Sequence, residues 1–302
     1  MIFQQDFHIH THCSCDSASA SMEHIIEACN KMGYKEFGIS DHLHTHFNYP
    51  DIEIARQEFL ALKDRPENFH FGLELSCSNE WECKKIAKRD YTSGFTYMLK
   101  GTPFRTLTPI DGVMYGGPPD GPLYLDITRE EIEKLGIEYI IGGVHKPNYT
   151  EQEPAPMIED YFKQTCFMLK DDRIDILAHP WWALPFWSGY MIITRDLKDK
   201  DYSVYRRIPR EYWDELAKLL VENGKLAELN MGCLNGDKNF PEEILHFYME
   251  EMALWKEKGV KFTFGSDLHA KEYQYDLVWE FEELVKSYGF TEKDFALPPG
   301  LK

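Results

Sequence analysis

The chain has 302 residues, 43% of them hydrophobic, and carries 51 acidic against 33 basic residues for a formal charge of −18. That is enough apolar material for one substantial core, with a surface that repels nucleic acid and anionic membranes at long range. No stretch approaches the roughly 18–20 apolar residues of a membrane span, so a transmembrane protein is not expected. The seven cysteines, Cys13, Cys15, Cys29, Cys77, Cys83, Cys166 and Cys233, are odd in number and follow no paired spacing. Reduced thiols in a cytoplasmic protein are the plain expectation, and the N-terminal run lacks the basic and apolar regions of a signal peptide.

Short apolar runs alternate with longer amphipathic segments. The first strand is predicted over Phe3–His8, and Ser21 leads into a helix over Met22–Met32 that Gly33 ends. Strand Glu36–Ser40 precedes helix Asp51–Leu62, and strand Phe69–Leu75 precedes helix Glu80–Lys88. After helix Arg129–Leu135 come strand Glu138–Val144, helix Met157–Lys170 and strand Ile174–Ala178. The C-terminal part reads as helix Arg210–Asn223, strand Lys225–Asn230, helix Pro241–Lys258, strand Lys261–Gly265 and helix Glu272–Tyr288. Gly136, Gly224, Gly259 and Gly289 stand at expected helix ends. This alternation predicts an α/β fold with a parallel sheet, and seven strands favour a closed or nearly closed barrel. A single domain over residues 1–302 is expected. Its long loops, near 94–122 and 181–209, have the length of lids or binding loops.

Six of the 12 histidines fall at the C-terminal ends of predicted strands. His8 and His10 close the first strand as His-x-His, on one face of it. Asp41-His42 follows Gly-Ile-Ser, Glu74 ends His-Phe-Gly-Leu-Glu, His145 follows Gly-Gly-Val, and His179 follows Ile-Leu-Ala. Asp267 and His269 follow Phe-Gly-Ser as Asp-x-His. In a parallel barrel those ends meet on one rim, where active sites lie. One such His alone reads as a hydrogen-bonded core residue. Six with three carboxylates read as ligands for borderline divalent metals.

The ordered set Asp6-Phe-His8-Ile-His10-Thr11, Ser40-Asp41-His42, Gly72-Leu73-Glu74, Gly143-Val144-His145, Ala178-His179-Pro180 and Gly265-Ser266-Asp267-Leu268-His269 resembles the PHP (polymerase and histidinol phosphatase) family. The resemblance spans residues 6–269 and implies a distorted (β/α)7 barrel holding two or three divalent ions, zinc, iron or manganese. It implies one metal on His8, His10, Glu74 and Asp267, and a second sharing Glu74 and adding His145 and His179. A third would take His42, His269 and a residue of the loop after the first strand. Many members place a His there; this chain has Asp16, which could equally cap the following helix. Glu74, Asp267 and His145 are expected to be catalytic as well as ligating.

Two metals bridged by a carboxylate would activate water as the nucleophile and neutralise phosphoryl charge, with no Ser or Cys nucleophile required. A catalytic thiol at Cys13 or Cys15 is the lesser alternative. Lys146 follows a ligand and is a candidate phosphate contact or a solvated lysine. Trp181, Trp182, Phe186 and Trp187 follow His179 and could wall a planar pocket, with Trp181 the leading candidate for substrate contact. Arg105 and Arg195 in the long loops, and His12, His44 and His46 near ligands, read more simply as structural or exposed. The leading function is hydrolysis of a small phosphorylated metabolite, with histidinol phosphate as the family precedent. A phosphodiesterase or nuclease of the same family, an amidohydrolase-like C–N hydrolase and a non-catalytic metal-binding domain are the alternatives. The acidic charge disfavours nucleic acid. The Glu on the third strand, the His after the second and the final Asp-x-His disfavour the amidohydrolase.

Overall fold

Seven of the short apolar runs form parallel strands that pair in the order in which they occur in the chain. They are β1 (Gln5–Asp6), β2 (Glu36–Ile39), β3 (Phe69–Ser76), β4 (Tyr139–Gly143), β5 (Ile176–Leu177), β6 (Leu226–Asn230) and β7 (Lys261–Gly265). The computed structural model describes residues 1–16, 18–89, 96–99, 102–105, 121–147, 154–188, 200–234, 236 and 240–301, with backbone alone at 96–99, 102–105 and 187–188. Most of the long loop near 94–122 and the middle of 181–209 lie outside the described residues; so do Arg195 and the side chains of Arg105 and Trp187. Thr96–Leu99 and Thr102–Arg105 form a short antiparallel hairpin within a segment expected to be loop.

The seam between first and last strands is nearly closed. The Asp267 amide donates to the His8 carbonyl at 2.8 Å, and the His10 amide donates to the Leu268 carbonyl at 3.0 Å. Below that seam, buried Asp6 accepts from the Ser266 amide at 3.1 Å and from the Tyr273 hydroxyl at 2.8 Å. These bonds join residues some 260 positions apart, so they fix the register that brings both ends of the chain to one rim.

Among the described residues, eight longer helices pack around the sheet: α1 (Met22–Met32), α2 (Tyr49–Ala61), α3 (Glu80–Ala87), α4 (Arg129–Leu135), α5 (Pro154–Lys170), α6 (Arg210–Glu222), α7 (Glu242–Glu257) and α8 (Tyr275–Ser287). α1 and α4 have the sequence-predicted bounds, and the others shift by one to three residues. Ser21 caps α1 by accepting from the His24 amide. Thr128 and Glu131 form a reciprocal capping box at α4. Gly33 and Gly136 take the left-handed conformation that a helix C-terminus needs and a β-carbon disfavours.

The barrel interior is filled, not hollow. Tyr139 lies buried across the base, its hydroxyl 2.8 Å from the carbonyl oxygens of both Phe7 and Ile39. One side chain of β4 thereby ties the ends of β1 and β2. Its ring occupies the space that Gly72 leaves open, and a β-carbon at Gly72 would fall inside that ring. A β-carbon at Gly38 would lie 2.6 Å from the Tyr139 hydroxyl. Gly72→Ala is therefore expected to destabilise the fold by about 1–3 kcal/mol or more, because the obstacle is a hydrogen-bonded ring with nowhere to move. A urea-unfolding midpoint equal to wild type would contradict this packing.

Candidate metal centre

The strand ends deliver their side chains to one buried cluster centred on Glu74. Glu74 sits on β3, the longest strand, and is 0% exposed. Its Oε2 lies 3.1 Å from His8 Nε2, 2.9 Å from His42 Nδ1 and 3.5 Å from His10 Nε2. Its Oε1 lies 3.0 Å from His145 Nε2 and 2.9 Å from His179 Nε2. Asp267 Oδ1 stands 3.4 Å from His8 Nε2 and 3.3 Å from His10 Nε2. Asp16 Oδ2 lies 3.2 Å from His42 Nε2 and in direct contact with His269 Nε2. The chain thus brings together all nine residues expected as ligands, from positions 8 to 269. His10 also stacks between His42 and His269, with ring centroids 4.4 and 4.2 Å away, so it joins the first expected group to the third.

These donors fit divalent cations better than they fit one another. Glu74 Oε2, His42 Nδ1, His145 Nε2 and Asp16 Oδ1 are buried, yet each lacks an aligned hydrogen-bond partner. Native interiors rarely tolerate such orphans. The Nε2 atoms of His8 and His10 face each other at 3.1 Å. Sets of three and four such donor atoms, including His8/His10/Glu74, His8/His179/Asp267 and His10/Asp16/His42/His269, lie within 4.8 Å of one another.

A layer of polar side chains fixes the ligands from behind. Glu228, wholly buried on β6, accepts from His8 Nδ1 at 2.6 Å. That bond places the His8 proton on Nδ1 and turns the Nε2 lone pair to the cluster, the usual arrangement behind a ligating histidine. Its other oxygen accepts from the His179 amide at 2.7 Å and from Asn230 Nδ2 at 3.0 Å, and Asn230 also reaches Asp267 Oδ2 at 3.2 Å. A β-carbon at Gly265 would strike the Glu228 carboxylate, so the Gly of Gly-Ser-Asp makes room for it. Ser76 Oγ lies 2.6 Å from both His145 Nδ1 and His44 Nδ1. Both oxygens of Asp41 are engaged by Thr11: they accept from its amide at 2.6 Å and its hydroxyl at 2.7 Å. No sequence motif marks Glu228, Ser76 or Asn230. A lone Glu inside the apolar run Leu226–Leu229 was the available signal.

Backbone and charge are both under stress here. His179 (φ 21°) and Asp267 (φ 54°) are non-glycine residues at positive φ, strain that persists only where surroundings over-determine it. Burial pushes the Glu74 carboxyl up, but His8, His42 and His145 outweigh that and hold it well below the usual range. Burial, with repulsion from His42, pushes His10 down to about 3, which keeps it a neutral imidazole. Burial also lowers His42, but Glu74 and Asp16 overcome this and raise it to about 10. In the metal-free protein, protons must therefore stand where cations would.

Several expected contacts fall elsewhere. Lys146 is neither solvated nor aimed at the cluster: it is 1% exposed, with Nζ paired to the buried carboxylate of Glu82 on α3. Trp181, at φ 67°, turns into the core against Tyr161 and Trp213 and is 0% exposed. Trp182 instead faces the cluster, its ring 5.0 Å from His179 and 6.3 Å from His145. The left-handed residue reverses the alternation that a regular segment would have given. Phe186 packs behind Trp182. His46 is held between Asp126 and Glu131 on the exterior. Burial pushes the Cys13 thiol up to about 12, which disfavours a thiolate nucleophile.

Fold and site together define a metal-dependent phosphoesterase built on a nearly closed (β/α)7 barrel. A family model for the PHP domain matches residues 6–232, and the chain belongs to that family. Among solved structures it is similar to the histidinol phosphate phosphatase of Lactococcus lactis, crystallised with zinc, L-histidinol and phosphate. Identity is 15% and the TM-score 0.57, over 99% of this chain and 98% of that one. A Listeria monocytogenes protein designated a histidinol phosphatase matches at 11% identity and TM-score 0.48, over 88% of this chain and 96% of that one. No curated protein matches the chain.

Because Glu228 sets the His8 tautomer, Glu228→Gln is expected to weaken metal binding about 10–100-fold while leaving the fold intact. Competition with a metal-sensitive dye, read beside circular dichroism, measures both. Unchanged affinity in a folded variant would remove Glu228 from the site.

Proposed function

We propose that this protein hydrolyses a small phosphate monoester and that histidinol phosphate is the first substrate to test. The observation that carries this is the Glu74-centred cluster of six imidazoles with Asp16 and Asp267, in which buried atoms of Glu74, His42, His145 and Asp16 lack an aligned hydrogen-bond partner. In this reading His8, His10, Glu74 and Asp267 would hold one ion, Glu74, His145 and His179 a second, and Asp16, His42 and His269 a third. Zinc, iron or manganese bound there would supply Lewis-acid charge for the phosphoryl and leaving oxygens and would acidify a water.

The chain's own residues do the positioning. Glu74 presents one oxygen to each side of the centre. Glu228 keeps the His8 proton on Nδ1, and Ser76 holds the Nδ1 edge of His145, leaving both Nε2 atoms for the centre. Glu74, Asp267 and His145 are the ligands assigned catalytic roles. Trp182 offers a planar apolar wall beside His179 and takes the orienting role first expected of Trp181. Lys146, tied to Glu82, supports the alignment of His145 rather than binding phosphate. The Lactococcus lactis neighbour holds histidinol and phosphate, which favours a substrate with a planar portion and one phosphoryl group. A net charge of −18 opposes a polyanion while leaving a small ester free to enter.

Glu74→Ala is expected to remove more metal than Asp16→Ala, because Glu74 would serve two positions and Asp16 one. Elemental analysis of both purified variants decides it, and equal losses would refute these roles. In a panel of phosphate esters, p-nitrophenyl phosphate and histidinol phosphate should outrun bis-p-nitrophenyl phosphate and single-stranded DNA. Trp182→Ala should raise KM for the planar substrate about tenfold, the worth of one lost ring contact. Faster diester turnover would move the reading to a phosphodiesterase.

A further inference from the structure

A second set of metal-binding side chains lies outside the Glu74 cluster. His12, Cys13 and the α2 residue Glu58 offer an imidazole nitrogen, a thiol sulfur and a carboxylate oxygen within 4.8 Å of one another. His12 Nε2 is 3.2 Å from Glu58 Oε2 and 3.8 Å from Cys13 Sγ. A tetrahedral zinc with bonds of about 2.0 Å to N or O and about 2.3 Å to S would set these edges at about 3.3 and about 3.5 Å. The other His12 ring nitrogen, Nδ1, lies 3.4 Å from the Ala20 carbonyl, a partner that takes the ring proton and leaves the Nε2 lone pair outward. Glu58 also lines a surface cavity of about 570 Å³ whose wall adds Glu23, Glu27 and Asp64 to one cation, Lys63. That excess of negative charge concentrates divalent cations at its mouth.

We propose that His12, Cys13 and Glu58 form an accessory zinc site that clamps the segment bearing Asp16 to α2. The path to the main centre is short. The His12 amide donates to the Ala20 carbonyl at 2.8 Å and so closes the loop that contains Asp16. The Cys13 amide donates to Thr11 Oγ at 3.1 Å, and Thr11 in turn donates to Asp41, beside His42. Three protein ligands leave the fourth position of zinc to solvent. Binding displaces the Cys13 thiol proton to water, since a coordinating thiol is deprotonated outright. The mixed sulfur, nitrogen and oxygen donors suit zinc or cobalt and not magnesium or calcium.

The test is a Co²⁺ titration of the metal-loaded protein, followed by the near-ultraviolet thiolate-to-cobalt charge-transfer band. No cysteine is among the ligands assigned to the Glu74 cluster, so the band reports this site. It is expected to grow to one equivalent, to collapse on adding Zn²⁺, and to vanish in Cys13→Ser. In His12→Gln and Glu58→Gln, which alter half-exposed side chains, the apparent affinity should fall at least about tenfold, no less than the loss of an outer-shell partner costs. Elemental analysis of the same samples should find the metals of the Glu74 cluster retained. A folded protein that gives no band, or a band that survives Cys13→Ser and so belongs to Cys15 or Cys233, overturns the proposal and leaves the phosphatase reading untouched.

Discussion

The carboxylate of Glu74 is wholly buried, and the rim of the barrel is organised around compensating it. Burying an uncompensated charge costs several kcal/mol even after relaxation. Glu74 is compensated from five sides by His8, His10, His42, His145 and His179, each arriving from a different strand end or from the other residue of a His-x-His pair. The C-terminal ends of parallel strands bring five such side chains to one point, so this topology suits the chemistry. Space is required as well. A β-carbon at Gly143 would sit 2.8 Å from Glu74 Oε1, so the strand that supplies His145 must be bare two residues earlier.

Imidazoles crowded at 4–5 Å repel when charged, and the backbone that holds them is held in turn. His179 and Asp267 adopt positive φ, and the same two residues are gripped by Glu228 and Asn230. The bond from the His179 amide to Glu228 and the closure of the seam through the Asp267 amide offset a local cost of order 1–3 kcal/mol at each site. Glu228 is thus the counterpart of Glu74 one layer out. It too is a buried carboxylate, and its partners are the residues that position ligands.

The strands and helices were legible because period and punctuation agreed: apolar runs of four to eight residues, caps such as Ser21 and Thr128, and glycines at helix ends. The candidate cluster was legible for a different reason. Histidine and carboxylate at strand ends break the apolar pattern at positions that only a shared rim explains. What the sequence concealed was orientation. Trp181 and Trp182 are indistinguishable by type, and a single left-handed residue decides which of them meets the ligands. Lys146 beside His145 looked like a phosphate contact, because nothing local reveals that Glu82, 64 positions earlier, supplies its counter-charge. Glu228 was hidden by its isolation: a second-layer residue has no motif of its own, and its partner His8 is 220 positions away.

Base and rim of the barrel rest on different physics. At the base, Tyr139, Gly38 and Gly72 interlock by shape and by hydrogen bonds from a hydroxyl that does not ionise near neutral pH. At the rim, Glu74, Glu228, Asp267 and Asp16 converge with six imidazoles, and neutrality has to come from bound cations or from protons. His42, raised to about 10, and His8, raised by Glu228, Glu74 and Asp267 against the effect of burial, are the groups that take up those protons. Metal binding must displace them, so its free energy is shared between coordination and the folding of the rim. The rigid base keeps the strand ends in register in either state. The rim can then exchange protons for metal without the barrel having to form anew.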